Sequence, residues 1–326
     1  FELSRRWGKT PVHAKSTPGF IVNRIARPYY AETLALLQEQ AGTPAQLDRA
    51  LRGAGFRMGP CELMDLIGHD TNYLVTQSVF EANFGDKRYV PSLVQKALVD
   101  GGRLGRKVGK GFYEGTPAAA SPVAAPGEAP QDLKLVGRGP LVEALAGWLG
   151  HKGLAFARDE GGDWGGLQLG TLQLHFTSGI SAAQLAWQRC HDALAVLDWP
   201  LAVERIDGLA LAFGPRVATS QRAGAEALLR ALGWEPLVLR DVPGLVVART
   251  VAMLVNEGAD AVWQGVCDEP GADLAMKLGV NYPAGPFEWL AQLGTAPIVD
   301  LLEGLSTAYR SERYRISPLL QARRWA

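Results

Sequence analysis

The chain has 326 residues, 47% of them apolar and 20% charged, enough for two or three cores of an ordinary globular protein. Lys plus Arg and Asp plus Glu each number 33, so no net field favours nucleic acid or an anionic membrane as a partner. No apolar run approaches the roughly twenty residues that span a bilayer. The three scattered cysteines, Cys61, Cys190 and Cys267, fit a reducing compartment, and a cytoplasmic protein is expected.

In chain order, Phe1–Trp7 reads as a helix end stopped by Gly8, and residues 11–15 as a short strand. The chain opens at Phe1 without an initiator Met, and a leading domain is expected before it, holding partners for that strand. From Gly19 the apolar residues Phe20, Ile21, Ile25, Tyr29, Leu34, Leu36 and Leu37 recur near the helical period. Pro28 lies inside this run and predicts a kink that releases the Arg24 carbonyl. Thr43 is placed to cap a helix from Pro44 to Leu51, and further helices are expected over residues 61–66, 71–82 and 91–100. Residues 115–131 are an Ala/Pro-rich linker with nothing to bury. Beyond it the pattern becomes α/β, with strands expected at 133–136, 154–156, 208–213 and 236–239 and helices at 140–149 and 220–232. Residues 167–187 continue that pattern, and residues 246–305 read as helical again.

The chain repeats itself. Gly8 to Ala50 match Gly233 to Ala275 at a constant offset of 225, pairing Pro18-Gly19 with Pro243-Gly244, Arg24 with Arg249, Glu32 with Glu257 and Asp48 with Asp273. After one inserted residue, Gly59-Pro60, Glu62 and Gly68 match Gly285-Pro286, Glu288 and Gly294. The shared residues are largely Gly and Pro, which fix backbone conformation and so report a shared fold.

Pro18-Gly19-Phe20-Ile21-Val22-Asn23-Arg24, with Pro28, Glu32, Asp48, Met58-Gly59-Pro60, Asp65, Gly68 and the closing Leu104-Gly105-Arg106-Lys107-Val108-Gly109-Lys110-Gly111-Phe112-Tyr113, resembles the C-terminal domain of the 3-hydroxyacyl-CoA dehydrogenases. The resemblance covers residues 1–113, and the later repeat is a weaker copy. The whole arrangement resembles the long bacterial 3-hydroxybutyryl/3-hydroxyadipyl-CoA dehydrogenases of the phenylacetate-degradation type. It implies a mainly α molecule in which two copies of the helical domain flank a degenerate Rossmann-like α/β domain. The expected divisions are the end of a missing N-terminal Rossmann domain (1–17), helical copy 1 (18–114), linker (115–131), degenerate Rossmann-like domain (132–242) and helical copy 2 (243–326).

The resemblance further implies an NAD-dependent oxidation of a 3-hydroxyacyl-CoA to the 3-ketoacyl-CoA, a β-oxidation-type step. NAD would be bound mainly by the missing N-terminal domain, and an acyl-CoA would be the substrate. Within the chain, Gly137-Arg138-Gly139 stands where a phosphate loop belongs, but Val142 occupies the third glycine position, so a turn is the favoured reading. The family's catalytic glutamate position falls on Ala212, and no histidine lies at the required distance, His175 and His191 being nearest. Asn23 is the expected catalytic residue, its amide able to donate and accept at once; the bland reading is a helix-start asparagine. Ala248 replaces it in the later repeat. Lys107 is the expected cofactor-binding residue, with a solvated basic loop as the other reading. Asp48 and Glu32 recur where Asn23 does not, and read as helix caps or buried ion pairs. The five histidines show no ligand spacing, and no metal is expected.

On its own the chain is expected to be inactive, supplying cleft wall and association surface. A non-catalytic assembly module is the alternative, with the helical domains paired as a homodimer or an internal pseudo-dimer. A dehydrogenase of related fold acting on a free β-hydroxy acid is a third reading.

Overall fold

The computed structural model of the chain describes residues 1–115, 123 and 132–326. The linker read over 115–131 lies outside the described residues apart from Gly115 and Val123. After the short unburied helix α1 (Glu2–Arg6), residues 11–15 are not a strand. Among the described residues they have no neighbouring strand to bond with, and the Lys15 N–H instead reaches the Val266 carbonyl at 2.8 Å.

The kink expected at Pro28 separates α2 (Val22–Ile25) from α3 (Arg27–Gln38) at Ala26. Pro28 has no N–H to give the Arg24 carbonyl, so the ladder breaks there. The equivalent later helix has Met253 in that place and runs unbroken as α11 (Val247–Trp263). Between them lie α4 (Pro44–Gly53), α5 (Pro60–Ile67), α6 (His69–Ala82) and α7 (Leu93–Asp100). Thr43 caps α4 in a capping box with Gln46.

Residues 132–242 build one seven-stranded mixed sheet in the order β2-β1-β3-β4-β5-β6-β7. Its strands are β1 (Leu133–Val136), β2 (Ala157–Asp159), β3 (Gly166–Leu169), β4 (Leu172–Phe176), β5 (Leu194–Leu197), β6 (Gly208–Phe213) and β7 (Glu235–Val238). Pairs β1–β2, β4–β5 and β6–β7 are parallel and the rest antiparallel. Helices α8 (Pro140–His151), α9 (Ala182–Gln188) and α10 (Thr219–Ala231) cover it. The continuous apolar runs of β5 and β6 are buried at every position, as central strands covered on both faces require. After α11 come α12 (Glu269–Val280), α13 (Pro286–Leu293), α14 (Thr295–Tyr309) and α15 (Pro318–Arg324).

This architecture corrects the expectation of a mainly α molecule with two helical copies flanking a sheet domain. The protein is α/β and Rossmann-like, organised on the seven-stranded sheet. Short strands concealed its extent: β5 has four residues and no alternation, while β3 and β4 form a hairpin across Gly170-Thr171. The helical segments are also not two bodies on either side of the sheet. One apolar core joins Ile25, Leu36, Leu47 and Met64 to Leu254, Met276 and Leu302, and Trp199 and Ala210 of the sheet region enter it too. Each such fully buried aliphatic side chain contributes about 1.5–3 kcal/mol.

That shared core also encloses charge. Arg24 donates to Glu257 at 2.7 Å, and Arg88 and the Tyr89 hydroxyl donate to the same carboxylate at 3.1 and 2.5 Å. Reciprocally, Arg249 and Arg313 donate to Glu32 at 2.6 and 2.9 Å, and the Tyr314 hydroxyl donates at 3.1 Å. Every partner in the second set stands 225 residues from its counterpart in the first. Each arginine therefore pairs with the glutamate of the other segment.

Candidate functional site

Asn23 follows the turn at Pro18–Ile21. Gly19 has φ +80°, and a Cβ there would lie 3.0 Å from the Arg24 backbone nitrogen, so this turn requires glycine. Phe20 comes next at φ 48° while remaining exposed, a conformation that costs a bulky residue about 1–3 kcal/mol. The turn directs Asn23 outward. It is exposed between the half-buried Val22 and the buried Arg24, and its carboxamide has no hydrogen-bond partner among the described residues.

The equivalent turn, with Leu245 at φ 50°, meets a different surrounding. Asp198, immediately after β5, accepts the backbone N–H groups of Val246, Val247 and Ala248 at 2.9, 2.7 and 2.8 Å. Ala248, at Asn23's place, is wholly buried. Burial pushes the Asp198 carboxyl up to about 6 despite these bonds.

Lys107 sits in the loop 105–113, which folds back on α5 and α6. Asp65 anchors that loop by accepting the N–H groups of Phe112 and Tyr113, both at 2.9 Å, and it bonds His69 Nε2 at 2.8 Å. Burial raises the Asp65 carboxyl, yet the His69 and backbone bonds outweigh it and hold it below its ordinary value. The Lys107 ammonium is half-exposed and donates to Asp70 Oδ2 at 2.6 Å. No described hydrogen bond or ion pair joins Lys107 to Asn23.

Asp48 accepts the N–H groups of Cys61 and Glu62 at the start of α5 at 2.7 and 2.9 Å, and the Tyr113 hydroxyl at 2.6 Å. Burial pushes its carboxyl up to about 6 against those bonds. Asp273 does the same for α13 through Phe287 N–H at 2.8 Å. Asp48 is thus a helix cap and Glu32 a buried ion-pair partner, as their recurrence implied.

The turn at the phosphate-loop position of the sheet region is closed. Gly137 has φ +86°, and a Cβ on it would lie 2.1 Å from the Trp164 carbonyl oxygen. The 164–165 backbone already lies over the end of β1, where a pyrophosphate would approach. Val142 is buried against that turn. His175 is stacked on Trp164 with ring centroids 3.8 Å apart and bonds Gln173 at 2.9 Å; burial lowers it to about 3 and keeps it neutral. Ala212 is buried within β6. Among the described residues no group of His, Cys, Asp and Glu is arranged to hold a metal, and no helix is long and apolar enough to cross a membrane.

Sequence reasoning did not find the Asp198 cap or the unpaired Arg27 described below. It did find the paired Arg and Glu repeats, without showing that each pair crosses between segments. The return of the offset to 225 at Arg88/Arg313 and Tyr89/Tyr314 was the available signal.

The model of the 3-hydroxyacyl-CoA dehydrogenase C-terminal domain matches residues 19–115 and again 244–324. The model of the 3-hydroxybutyryl-CoA dehydrogenase reduced Rossmann-fold domain matches residues 174–243. The 3-hydroxyadipyl-CoA dehydrogenase of Escherichia coli K12 is 43% identical over 323 residues, 99% of this chain and 62% of its own length. The human mitochondrial hydroxyacyl-coenzyme A dehydrogenase is 38% identical over 114 residues, 35% of this chain and 36% of its own length. The crystal structure of 3-hydroxybutyryl-CoA dehydrogenase from E. coli K12 superposes with a TM-score of 0.85 at 40% identity, covering 99% of this chain and 63% of that one. The chain thus spans less than two thirds of the length of the E. coli relatives it matches along its whole extent. With both models and this full-length similarity in agreement, the chain belongs to the 3-hydroxyacyl-CoA dehydrogenase family.

Proposed function

We propose that this chain works as part of an NAD-dependent 3-hydroxyacyl-CoA dehydrogenase, forming the cleft wall that carries Asn23. The observation that carries the reading is the contrast between equivalent positions: Asn23 is exposed with a free carboxamide, whereas Ala248 is buried beneath an internal carboxylate cap. The amide of Asn23 donates to the substrate's 3-oxygen and holds it in line for transfer. NAD supplies the hydride acceptor when bound. The Gly137 turn of the sheet region is closed by the Trp164 carbonyl, and in this reading the dinucleotide is held outside the described residues, with Lys107 reaching toward it once released from Asp70. In the active dehydrogenase, Asn23→Ala lowers kcat with acetoacetyl-CoA by about 10²-fold, the effect of losing one positioned donor. Unchanged kcat would remove Asn23 from the reaction.

A second role is compatible with the first. The reciprocal pairs Arg24–Glu257 and Arg249–Glu32 favour internal association of segments 19–115 and 244–324 over pairing between chains. The E. coli relatives are named for a hydroxyadipyl and a hydroxybutyryl thioester, and both fit a 3-hydroxyacyl-CoA substrate here.

A further inference from the structure

Five arginines belong to the buried charge cluster around α3 and α11, and four of them are matched. Arg24 and Arg88 share Glu257 and Asp260, while Arg249 and Arg313 share Glu32 and Glu39. Arg27 is left over. It is 5% exposed and forms no ion pair among the described residues. Its Nη1 donates to Thr76 Oγ1 at 3.2 Å, its guanidinium lies 4.9 Å from the Tyr30 ring centroid, and its Nε has no partner. A buried, unmatched guanidinium is destabilising unless an anion completes it.

A place for that anion adjoins it. A cavity of about 80 Å³ is lined by Arg27, Tyr30, Arg88, Ser92, Gln95 and Arg313. The Nε of Arg88, which also lines it, lacks a partner too. The volume is several times what one water needs and accommodates a carboxylate with an adjoining methylene. The guanidinium fork is the side chain best shaped to receive a carboxylate through two parallel bonds. Burial meanwhile depresses the Arg27 pKa from its ordinary value, the mark of a cation without its counter-charge.

The location is informative as well. Arg27 stands four residues after Asn23, across the helix break at Ala26, and is buried where Asn23 is exposed. In a six-carbon dicarboxylic acyl chain whose 3-oxygen rests at Asn23, the terminal carboxylate is three bonds further on, roughly 4 Å. We propose that the cavity beside Arg27 is a carboxylate-binding site, filled by the far end of a dicarboxylic acyl-CoA or by a free carboxylate. The first source rests on the acyl-CoA reading above; the second does not.

Calorimetric titration of this chain with adipate at constant ionic strength tests the site. Saturable binding is expected, weakened at least roughly tenfold in Arg27→Met, the equivalent of one charge-assisted hydrogen bond. Arg27→Met should melt no lower than the wild type in adipate-free buffer, since it removes an unmatched charge. Arg27→Lys, which keeps the charge but not the fork, serves as the second variant and should also bind adipate more weakly. No adipate binding, or equal binding by all three proteins, overturns the site. Titration with adipyl-CoA and hexanoyl-CoA separates the sources. Arg27-dependent adipate binding together with a preference for adipyl-CoA that vanishes in Arg27→Met assigns the site to the acyl chain. Equal thioester affinities with Arg27-dependent adipate binding assign it to a free carboxylate. Equal thioester affinities with no adipate binding refute the site and leave the acyl-CoA reading standing, whereas Arg27-dependent adipate binding without either thioester binding does the reverse.

Discussion

At positions 23 and 248 the same backbone turn delivers two side chains to opposite environments, one exposed and one wholly buried. Asn23 is exposed and unbonded, so its replacement by Ala should change the unfolding free energy by no more than about 0.5 kcal/mol. A large loss of stability would make it a structural residue instead. Lys107 is a different case, because its ammonium is held by Asp70. If it reaches the cofactor, Lys107→Met in the active dehydrogenase raises the KM for NADH about tenfold while kcat changes little, a loss of uniform binding. An unchanged KM returns it to the status of a half-exposed ion pair, worth about 0.2–1 kcal/mol. The turns that carry Asn23 and Lys107 were legible because glycines and prolines mark them in the sequence. Arg27 was not, since whether a buried arginine lacks a partner depends on which carboxylates the fold brings near, and for its matched neighbours Glu257 and Glu32 lie 169 to 281 residues away.

At the scale of elements, long periodic helices were legible and short strands were not. The helix expected over 71–82 runs His69–Ala82, and Thr43 caps α4 as read. By contrast β5 was missed, β2 lies three residues later than expected, and residues 11–15 form no strand. Their later counterpart does, because β7 finds β6 to pair with from Gly208 to Leu211; a strand needs a neighbour as well as a composition. Capping supplies a pH dependence. Asp48 and Asp198 each stand at about 6 in the fold, above an ordinary value of 3.8. Each is thus easier to bury when protonated: its contribution is complete below about 4 and lost as pH rises through 6. Glu32 and Glu257 are held below 4.5 by their arginines, even though burial opposes this. Their stabilisation fails only as the medium becomes more acidic than that. The thermal midpoint should therefore rise from pH 7 to pH ~4.5 and then fall. Asp198→Asn should remove roughly half of that rise; a midpoint that falls steadily from pH 7 downward would contradict the assignment.

For the molecule as a whole, the decisive feature is that one core and one set of buried charges bind segments far apart in the chain. Glu257 faces Arg24, Arg88 and Tyr89 at once. Glu257→Gln leaves buried guanidinium charge uncompensated and should cost about 3–5 kcal/mol, with little relief from added salt. A loss under 1 kcal/mol in urea unfolding would show that the network is not what joins the segments. Because these pairs are satisfied within one chain, light scattering should find a monomer; a stable dimer would place association elsewhere. The sheet region carries a turn closed by the Trp164 carbonyl, a neutral stacked His175 and a buried Ala212. The most direct test of the whole account is NADH oxidation by this purified chain with acetoacetyl-CoA. No turnover above the uncatalysed rate is predicted, while turnover saturable in both reactants would contradict it.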